Sequence, residues 1–376
     1  MKAFRNLLSV AALLALLAVG VSLPSSAQPV PPFLGPVKNL LIGGDFGTNP
    51  WQRGTSSVGG NIANTATYTA DRWFAFGGAS SSINISQSST APAGFANSLQ
   101  FQRTAANSNT AQVCIAQIVE SNKVIPLQGL PITFSFSAEA AANFSGTALV
   151  ANLITSTATN QTAANLVTAA WTGQATLATQ SIPFTQAANG AAFTRYFPGQ
   201  TGGPFTSLTA VVPTNVQSLA AEICWVPVGT AGTTDAVLLA GIQLEQNGGA
   251  TSFERLEPGQ VLSLAQRYTV VYTDSAAALV FPATCTATST TAVLCAFPLP
   301  VAMRAAPTPV WSNTTSFGMT CGSTANAAAS AWAVVASSAT TISFGATATT
   351  GTTTAGFGCV MTGKNTAVTL TISAEL

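Results

Sequence analysis

Alternating polar and apolar residues occupy positions 98–103, which read SLQFQR, and positions 133–137, which read TFSFS. A period of two puts every second side chain on one face of a β-strand. Other short apolar runs, divided by Gly, Asn, Thr and Pro, lie at 147–154, 208–213, 219–227, 236–245, 268–273, 292–297 and 366–373. Many short strands with polar turns are typical of β-sandwiches and barrels. The sequence therefore predicts an all-β protein.

Charged residues are scarce in this sequence. Of 376 residues, 12 are Lys or Arg, 11 are Asp or Glu and none is His, so that 6% are charged, against about 25% in an ordinary soluble domain. The absence of His excludes a Ser-His-Asp triad and His metal ligands. The net charge of +1 provides no basic surface for nucleic acid. We therefore expect neither a nucleic-acid partner nor a cofactor.

The first 27 residues have the three regions of a secretory signal peptide. Lys2 and Arg5 are positive, residues 7–21 are apolar, and Ser25 and Ala27 are the small residues that precede a cleavage site. The apolar run is shorter than the roughly 20 residues that a membrane-spanning helix needs. We predict cleavage after Ala27, no membrane span in the mature chain, and a secreted location, either extracellular or periplasmic.

Further boundaries follow from Pro and Gly positions along the chain. Residues 28–38 contain four prolines and predict an extended leader. The segment 258–267 begins with Pro258 and predicts a short helix. The apolar face of that helix would comprise Val261, Leu262 and Ala265. It joins a larger β-domain at 39–257 to a smaller one at 268–376, which we expect to be a Thr/Ala-rich β-sandwich.

The smaller domain has almost no charge. No Asp, Glu, Lys or Arg lies between Arg304 and Lys364. Strand edges without charged residues are prone to pair with other chains. We therefore expect a homo-oligomer or a larger assembly.

All six cysteines follow the predicted signal peptide, and they are Cys114, Cys224, Cys285, Cys295, Cys321 and Cys359. An even number in an oxidising compartment predicts disulfides, and the absence of a CxxC pair argues against a metal cluster. Six cysteines allow fifteen pairings. Cys285 and Cys295 flank a Thr/Ser-rich turn, which favours that pair first. Cys321–Cys359 and then Cys114–Cys224 follow, with buried free thiols as the alternative.

Three groups of segments carry a family resemblance. The first comprises NLLIGGDF (39–46), WQRGT (51–55) and YTADRW (68–73). The second comprises AGIQLE (240–245), ATSFER (250–255) and QRY (266–268), and the third is FPLPVAMRAAPT (297–308). Together, over roughly residues 39–310, they resemble a family of phage and prophage tail-fibre-like or minor structural proteins.

This resemblance implies that residues 39–257 form a jelly-roll sandwich similar to a carbohydrate-binding module. It also implies a non-catalytic role in a virion or at a cell surface. Tail fibres normally lack a signal peptide, so a host-encoded secreted relative stays open beside a phage protein. Within the first group, Asp71 and Arg72 beside Trp73 predict a structural ion pair with an aromatic ring packed on it.

Three aromatic residues are candidates for contact with a sugar. Sugar sites present aromatic faces together with Asn, Gln and a few charged side chains. Trp51, Trp171 and Tyr196 stand beside turn-like residues, which favours their exposure. We predict that they bind the ligand, with packing inside the fold as the alternative.

Asp45 and Glu245 are candidate ligands of a structural Ca²⁺. The segments 39–46 and 236–245 are expected to lie side by side, closing the start of the first domain against its end. Ca²⁺ binds 6–8 oxygens, and these carboxylates supply too few. An ordinary strand pair without an ion is therefore the favoured interpretation.

No catalytic motif is present, since the sequence has no GxSxG, P-loop or GxGxxG. Residues 140–194 carry no charge, and no spacing singles out the carboxylate pair that glycoside hydrolysis needs. The sequence favours a non-catalytic exported protein that recognises surface glycan in the manner of a tail fibre or an adhesin. Two alternatives remain, namely a purely structural virion or surface-assembly protein and a secreted glycan-active enzyme.

Overall fold

A computed structural model describes residues 37–56, 58–186, 192–196, 209–274, 280–321, 324–348, 354–363 and 368–376. The predicted signal peptide at 1–27 and most of the predicted leader at 28–38 lie outside these ranges. Residues Lys38–Leu376 form one compact unit. Across the part of the chain that the structure describes, no helix combines the length and the apolar character needed to span a membrane.

The first part of the fold is a sandwich of two antiparallel sheets. Its strands are β1 (Val58–Asn61), β2 (Thr67–Tyr68), β3 (Phe74–Gly77), β4 (Ser82–Ser88), β5 (Ser98–Arg103), β6 (Val113–Val119), β7 (Pro131–Ala140), β8 (Ala148–Ser156), β9 (Ala175–Pro183), β10 (Thr194–Tyr196), β11 (Thr209–Val211), β12 (Ser218–Trp225) and β13 (Ala236–Glu245). Sheet A has the order β1-β4-β5-β13-β7-β10, and β11 also pairs with β7. Sheet B has the order β2-β3-β6-β12-β8-β9. The two sheets form the predicted all-β jelly-roll sandwich.

Alternate side chains fill the space between the two sheets. In β5, Leu99 and Phe101 belong to the buried core, and in β7 Phe134 and Phe136 do the same. Burying one side chain of this size stabilises a fold by about 1.5–3 kcal/mol. The predicted alternation in these two segments is confirmed.

Short helices accompany the sandwich, and two of them pack in one cluster with sheet B residues. They are α1 (Ser121–Val124), which continues into a 3₁₀ turn at Ile125–Leu127, α2 (Ala163–Val167) and α3 (Pro258–Gln266). Residues of α2 and α3 share an apolar cluster with Ile118 and Ala220 of sheet B. The helix predicted at 258–267 is confirmed. Val261 and Ala265 are buried, whereas Leu262, one residue further round the helix, is 36% exposed.

The chain after α3 forms a three-stranded sheet and a closed barrel. Its strands are β14 (Thr269–Asp274), β15 (Val280–Ala287), β16 (Ala292–Pro298), β17 (Thr308–Trp311), β18 (Phe317–Cys321), β19 (Thr324–Ser337), β20 (Thr341–Ala348), β21 (Gly358–Gly363) and β22 (Val368–Ser373), with a 3₁₀ turn at Thr314–Ser316. The order β14-β22-β17 makes the sheet, and β15-β16-β20-β19-β18-β21 closes the barrel.

The second part is therefore β-structure as predicted, but it is a barrel with a small sheet rather than a second sandwich. A closed barrel buries one face of each strand, so its strands have the same alternation as those of a sandwich. In β16, for example, Val293, Cys295 and Phe297 are buried and alternate with exposed residues. Closure also removes free strand edges. The predicted oligomer consequently gains no support from edges of the barrel strands and stays a prediction.

The three predicted disulfides are present. Cys114–Cys224, Cys285–Cys295 and Cys321–Cys359 have Cα–Cα distances of 4.0, 3.9 and 4.2 Å. In each pair the two residues lie directly opposite one another in neighbouring antiparallel strands. Cys285 also lies opposite Cys359. The barrel therefore has four buried cysteines side by side on four successive strands.

The tail, residues 374–376, lies against the sandwich. Buried Arg72 forms an ion pair with Glu375 and donates to the Ile118 carbonyl at 2.7 Å. The guanidinium carbon of Arg72 also lies 3.5 Å from the ring centroid of Tyr268. The Tyr68 hydroxyl donates to the Leu376 carbonyl at 2.7 Å. The tail thus joins the sandwich to the chain that follows α3.

The predicted ion pair between Asp71 and Arg72 is wrong. Arg72 has a left-handed backbone conformation with φ 71°, and its side chain reaches the tail. Asp71 is paired instead with Arg53 at 3.4 Å, and Arg53 also contacts Glu375 at 3.3 Å. Burial raises the pKa of Asp71, against the hydrogen bonds of Gln52 and the charge of Arg53.

Candidate functional site

The three aromatic residues predicted to bind a ligand lie in the core. Trp51, Trp171 and Tyr196 are 4%, 3% and 2% exposed. The indole N–H of Trp51 donates to the Phe46 carbonyl at 2.9 Å, and that of Trp171 donates to the Thr162 carbonyl at 2.8 Å. The loops that carry Trp51 and Trp171 fold inward, and each buried indole N–H finds a backbone partner. Tyr196 is the last residue of strand β10, and its ring is buried. The prediction that they are exposed to a ligand is wrong.

The segment 39–46 and β13 lie side by side, as predicted. Leu40 N–H donates to the Leu244 carbonyl at 2.8 Å, and Ile242 N–H donates to the Gly44 carbonyl at 2.9 Å. The start of the sandwich therefore closes against its end.

The carboxylates of Asp45 and Glu245 accept hydrogen bonds from neighbouring protein groups. The hydroxyl of Thr48 donates to both oxygens of Asp45 at 2.8 Å. Burial raises the pKa of Glu245, but hydrogen bonds from Thr251 and Gln243 outweigh it and hold that pKa below its usual value. In the described ranges no three His, Cys, Asp or Glu residues come together as metal ligands. Ca²⁺ at this junction stays an untested and disfavoured interpretation.

A groove of about 450 Å³ lies over the outer face of sheet A. This volume falls within the usual range of ligand pockets, about 300–1,000 Å³. Its described lining comprises Pro92, Ala93, Phe95, Ser137, Phe193, Arg195, Gly241, Ser252, Phe253 and Arg255. We call it the sheet A groove.

A tight turn and a bulge position Phe95 in this groove. Phe95 N–H donates to the Pro92 carbonyl at 3.0 Å, and Gly94 has φ 83°, as the third residue of a type II turn requires. The ring then rests on Gly241, which has φ 60° at an irregularity in the pairing of β13 with β7. A Cβ atom at Gly241 would lie 2.8 Å from Cζ of Phe95. Only glycine lets the ring approach the bulge this closely.

Phe253 and Arg255 lie on the return loop, residues 246–257, which follows β13. The Phe253 ring centroid is 5.3 Å from that of Phe95, and the two rings are tilted by 57°. The guanidinium carbon of Arg255 lies 4.5 Å from the centroid of the Phe95 ring on its face. The three side chains form one aromatic and cationic wall of the groove.

Hydrogen bonds hold the return loop on the outer face of sheet A. Thr251 donates to Glu245 through its N–H at 2.8 Å and its hydroxyl at 2.7 Å. The N–H of Glu254 donates to Gln243 at 2.8 Å. In turn the Glu254 carboxylate accepts from the N–H of Asn39 at 2.7 Å. The segments AGIQLE and ATSFER thus serve mainly to place the loop.

The opposite wall comes from the edge strand β10. Arg195 lies opposite Ser137 of β7 in the strand register, and its guanidinium donates to the Thr251 carbonyl. Along the same face of sheet A, Asn84 is opposite Gln102. The outer face of sheet A therefore also carries amide groups, outside the groove lining, that can donate and accept hydrogen bonds.

Sequence reasoning missed the groove residues although signals for them were present. Phe95 follows Pro92, Ala93 and Gly94, a turn pattern of the kind that favoured Trp51. Phe253 belongs to the segment ATSFER, which carries the family resemblance. The sequence does not reveal that the return loop crosses sheet A and brings these rings together.

Comparison with known proteins gave structural similarities only. No model of a known protein family matches the sequence, and no curated protein matches it. Among solved structures, the chain is similar to the C-terminal family 22 carbohydrate-binding module of Xyn10B from Clostridium thermocellum, with 12% identity and a TM-score of 0.29, over 52% of this chain and 98% of that one. It is similar to TmCBM61, solved with β-1,4-galactotriose, with 10% identity and a TM-score of 0.32, over 56% and 99%. It also resembles the enzymatically active domain of tailspike protein 4 of bacteriophage CBA120, with 12% identity and a TM-score of 0.29, over 53% and 23%.

Proposed function

We propose that the sheet A groove binds a glycan. The observation that carries this proposal is the wall formed by Phe95, Phe253 and Arg255 above a polar sheet face. Sugar rings place their apolar C–H faces on aromatic side chains, and their hydroxyls hydrogen-bond to amides, hydroxyls and guanidinium groups. The groove offers both kinds of contact within one recess.

The proposed binding is non-catalytic. Glycoside hydrolysis uses two carboxylates about 5–9.5 Å apart. The described lining of the groove contains neither Asp nor Glu. This composition supports recognition without cleavage, and release of reducing sugar by the purified protein would refute it.

The proposed setting is outside the cytoplasm. Three disulfides are typical of oxidising compartments. The predicted signal peptide, cleaved after Ala27, would deliver the chain there. The protein would then act at a cell surface as an adhesin, or in the virion if a phage encodes it.

Replacement of Phe253 by Ala tests the proposed site. We expect the full chain to bind members of a glycan array, and Phe253→Ala to weaken that binding about two- to tenfold, since an aromatic contact contributes about 0.5–1.5 kcal/mol. Calorimetric titration with the strongest array ligand measures the loss. Phe357→Ala, at a 51% exposed position of the chain after α3, is the matched control and should bind like the parent protein.

Two results would contradict the proposal. One is the absence of binding to any array member by correctly folded protein. The other is unchanged affinity in Phe253→Ala when thermal unfolding shows both variants folded.

A second candidate function is structural assembly, which the barrel surface favours. Val280, Val335 and Phe357 are 60%, 62% and 51% exposed, and no charge interrupts the sequence between Arg304 and Lys364. Exposed apolar side chains that form a contiguous patch are typical of contacts between proteins. Particles or fibres in light scattering, together with a blank array, would favour assembly over glycan binding.

A further inference from the structure

Arg255 differs from the arginines of this protein that form salt bridges. Arg103 is paired with Asp235 at 2.8 Å, and Arg267 is paired with Glu120 at 3.1 Å. In the described part of the chain, by contrast, Arg255 forms no salt bridge. Its exposed side chain lies in the sheet A groove. A protein with so few acidic groups leaves this guanidinium without a carboxylate of its own.

The guanidinium of Arg255 is held in place before any ligand arrives. It stacks on Phe95, which in turn rests on the Gly241 bulge and against Phe253. A guanidinium that lies over an aromatic ring still has N–H donors for another partner, since it carries five of them. Ordering the side chain in advance lowers the entropy lost on binding.

Arg195 adds a second positive charge on the opposite wall. Its bond to the Thr251 carbonyl fixes the guanidinium between β10 and the return loop. The described lining of the groove contains neither Asp nor Glu beside Arg255. The described lining thus holds two guanidinium groups, in a protein of net charge +1.

We propose that the ligand of the sheet A groove is an acidic oligosaccharide, whose carboxylate or sulfate group is bound by the N–H edge of Arg255. The inference rests on the proposed glycan-binding function. A guanidinium fork matches the paired oxygens of a carboxylate or sulfate group, and hydrogen bonds between two charged partners are stronger than those between neutral groups. Sugar rings of the same ligand would contact Phe95 and Phe253.

Matched acidic and neutral oligosaccharides test this proposal with the full chain. The probes are oligogalacturonate with its methyl ester, glucuronate-substituted xylan oligomers with unsubstituted ones, and sulfated galactan oligomers with desulfated ones. We expect at least one acidic member to bind about tenfold or more tightly than its neutral counterpart. The uronate and sulfate pairs distinguish the two sources of negative charge. Raising NaCl from 50 to 500 mM, values chosen to shorten the screening length from roughly 14 to 4 Å, should reduce the difference in affinity between the acidic and neutral members.

Variants of Arg255 assign that preference to its side chain. Arg255→Gln should lower the affinity for the acidic member far more than the affinity for the neutral member, so that the preference is lost, and Arg255→Lys should recover part of the preference. Arg267→Gln removes one guanidinium from an ion pair outside the groove and should keep the full preference.

The outcomes separate this inference from the proposed function. Equal binding of acidic and neutral members, still dependent on Phe253, overturns the acidic ligand and keeps glycan binding. A preference that survives in Arg255→Gln overturns the role of Arg255. No binding to any probe or array member overturns both proposals.

Discussion

Glu222 is a buried carboxylate on β12, outside the proposed groove. Its neighbours in the strand register are Ala116 and Asn152, and the Asn152 amide donates to it at a long 3.4 Å. Burial raises its pKa to about 7, with a small opposing effect from the Asn152 hydrogen bond. Below about pH 7, Glu222 is therefore mainly protonated in the native state.

This pKa makes stability fall as the pH rises. The contribution of Glu222 to the free energy of unfolding is fully present below its unfolded-state pKa of 4.5 and is lost as the pH rises past 7. We expect Glu222→Gln to be more stable than the parent protein at pH 8.5 by about 3 kcal/mol, and by much less at pH 5. Urea unfolding at both pH values measures the difference. Glu222→Asp keeps a titrating group, so its free energy of unfolding should still depend on pH. If both variants change the free energy of unfolding equally at pH 5 and pH 8.5, Glu222 is not the source of the pH dependence.

At the scale of single residues, the sequence predicts disulfide pairing better than it predicts whether a side chain is exposed. The cysteine pairs were predictable because one short turn favours Cys285–Cys295, and the positions of the other four cysteines along the chain then favour the remaining two pairs. The burial of Trp51 and Trp171 was not predictable, because a neighbouring turn does not determine which way a ring points. Phe95 lies in the groove because Gly241 makes a bulge beneath it, and that bulge depends on the pairing of two distant strands.

At the scale of elements, the disulfides link strands over very different lengths of chain. The sequence separations are 110 for Cys114–Cys224, 38 for Cys321–Cys359 and 10 for Cys285–Cys295. A crosslink restricts the unfolded chain more when the loop it closes is longer. All six cysteines are buried in strands, so replacement by Ala changes packing in a similar way at each pair.

We expect the cost of removing a disulfide to follow loop length. Replacing both cysteines of a pair by Ala should lower the free energy of unfolding by about 4.8 kcal/mol for Cys114–Cys224, about 3.9 kcal/mol for Cys321–Cys359 and about 2.7 kcal/mol for Cys285–Cys295. Guanidinium chloride unfolding without reductant gives the three values. A larger loss at Cys285–Cys295 than at Cys114–Cys224 would show that strain or packing, rather than loop entropy, dominates.

The strands themselves were largely predictable, and their closure was not. Period-two alternation in β5 and β7 correctly indicated half-buried strands, and Pro258 marked the start of α3. A barrel and a sandwich impose the same alternation on a strand. Closure of the barrel depends on β21 pairing with both β15 and β18, which are distant in sequence and carry no local signal for it.

At the scale of the whole molecule, the tail and the sandwich share a buried ion pair. Removing one partner of such a pair costs about 3–5 kcal/mol, because the other charge is left uncompensated. We expect Glu375→Gln to lower the free energy of unfolding by this amount, since Arg72 stays buried and Arg53 also loses a contact. Chemical denaturation measures the change.

A double variant supplies the control for this prediction. Arg72→Met removes the buried charge, so Glu375→Gln should cost clearly less in that background. Equal costs in the two backgrounds would mean that the pair does not couple the tail to the sandwich.

The long separation between Arg72 and Glu375 also matters while the protein is being made. Arg72 is translated 303 residues before its partner, an interval of roughly 15–60 s at synthesis rates of about 5–20 residues per second. All strands of the sandwich leave the ribosome during that interval. The nascent chain must nevertheless bury Arg72 before Glu375, the carboxylate that pairs with it, has been translated. The sandwich therefore reaches its final stability only after translation of Glu375, and until then the nascent polypeptide stays easier to unfold than the finished protein.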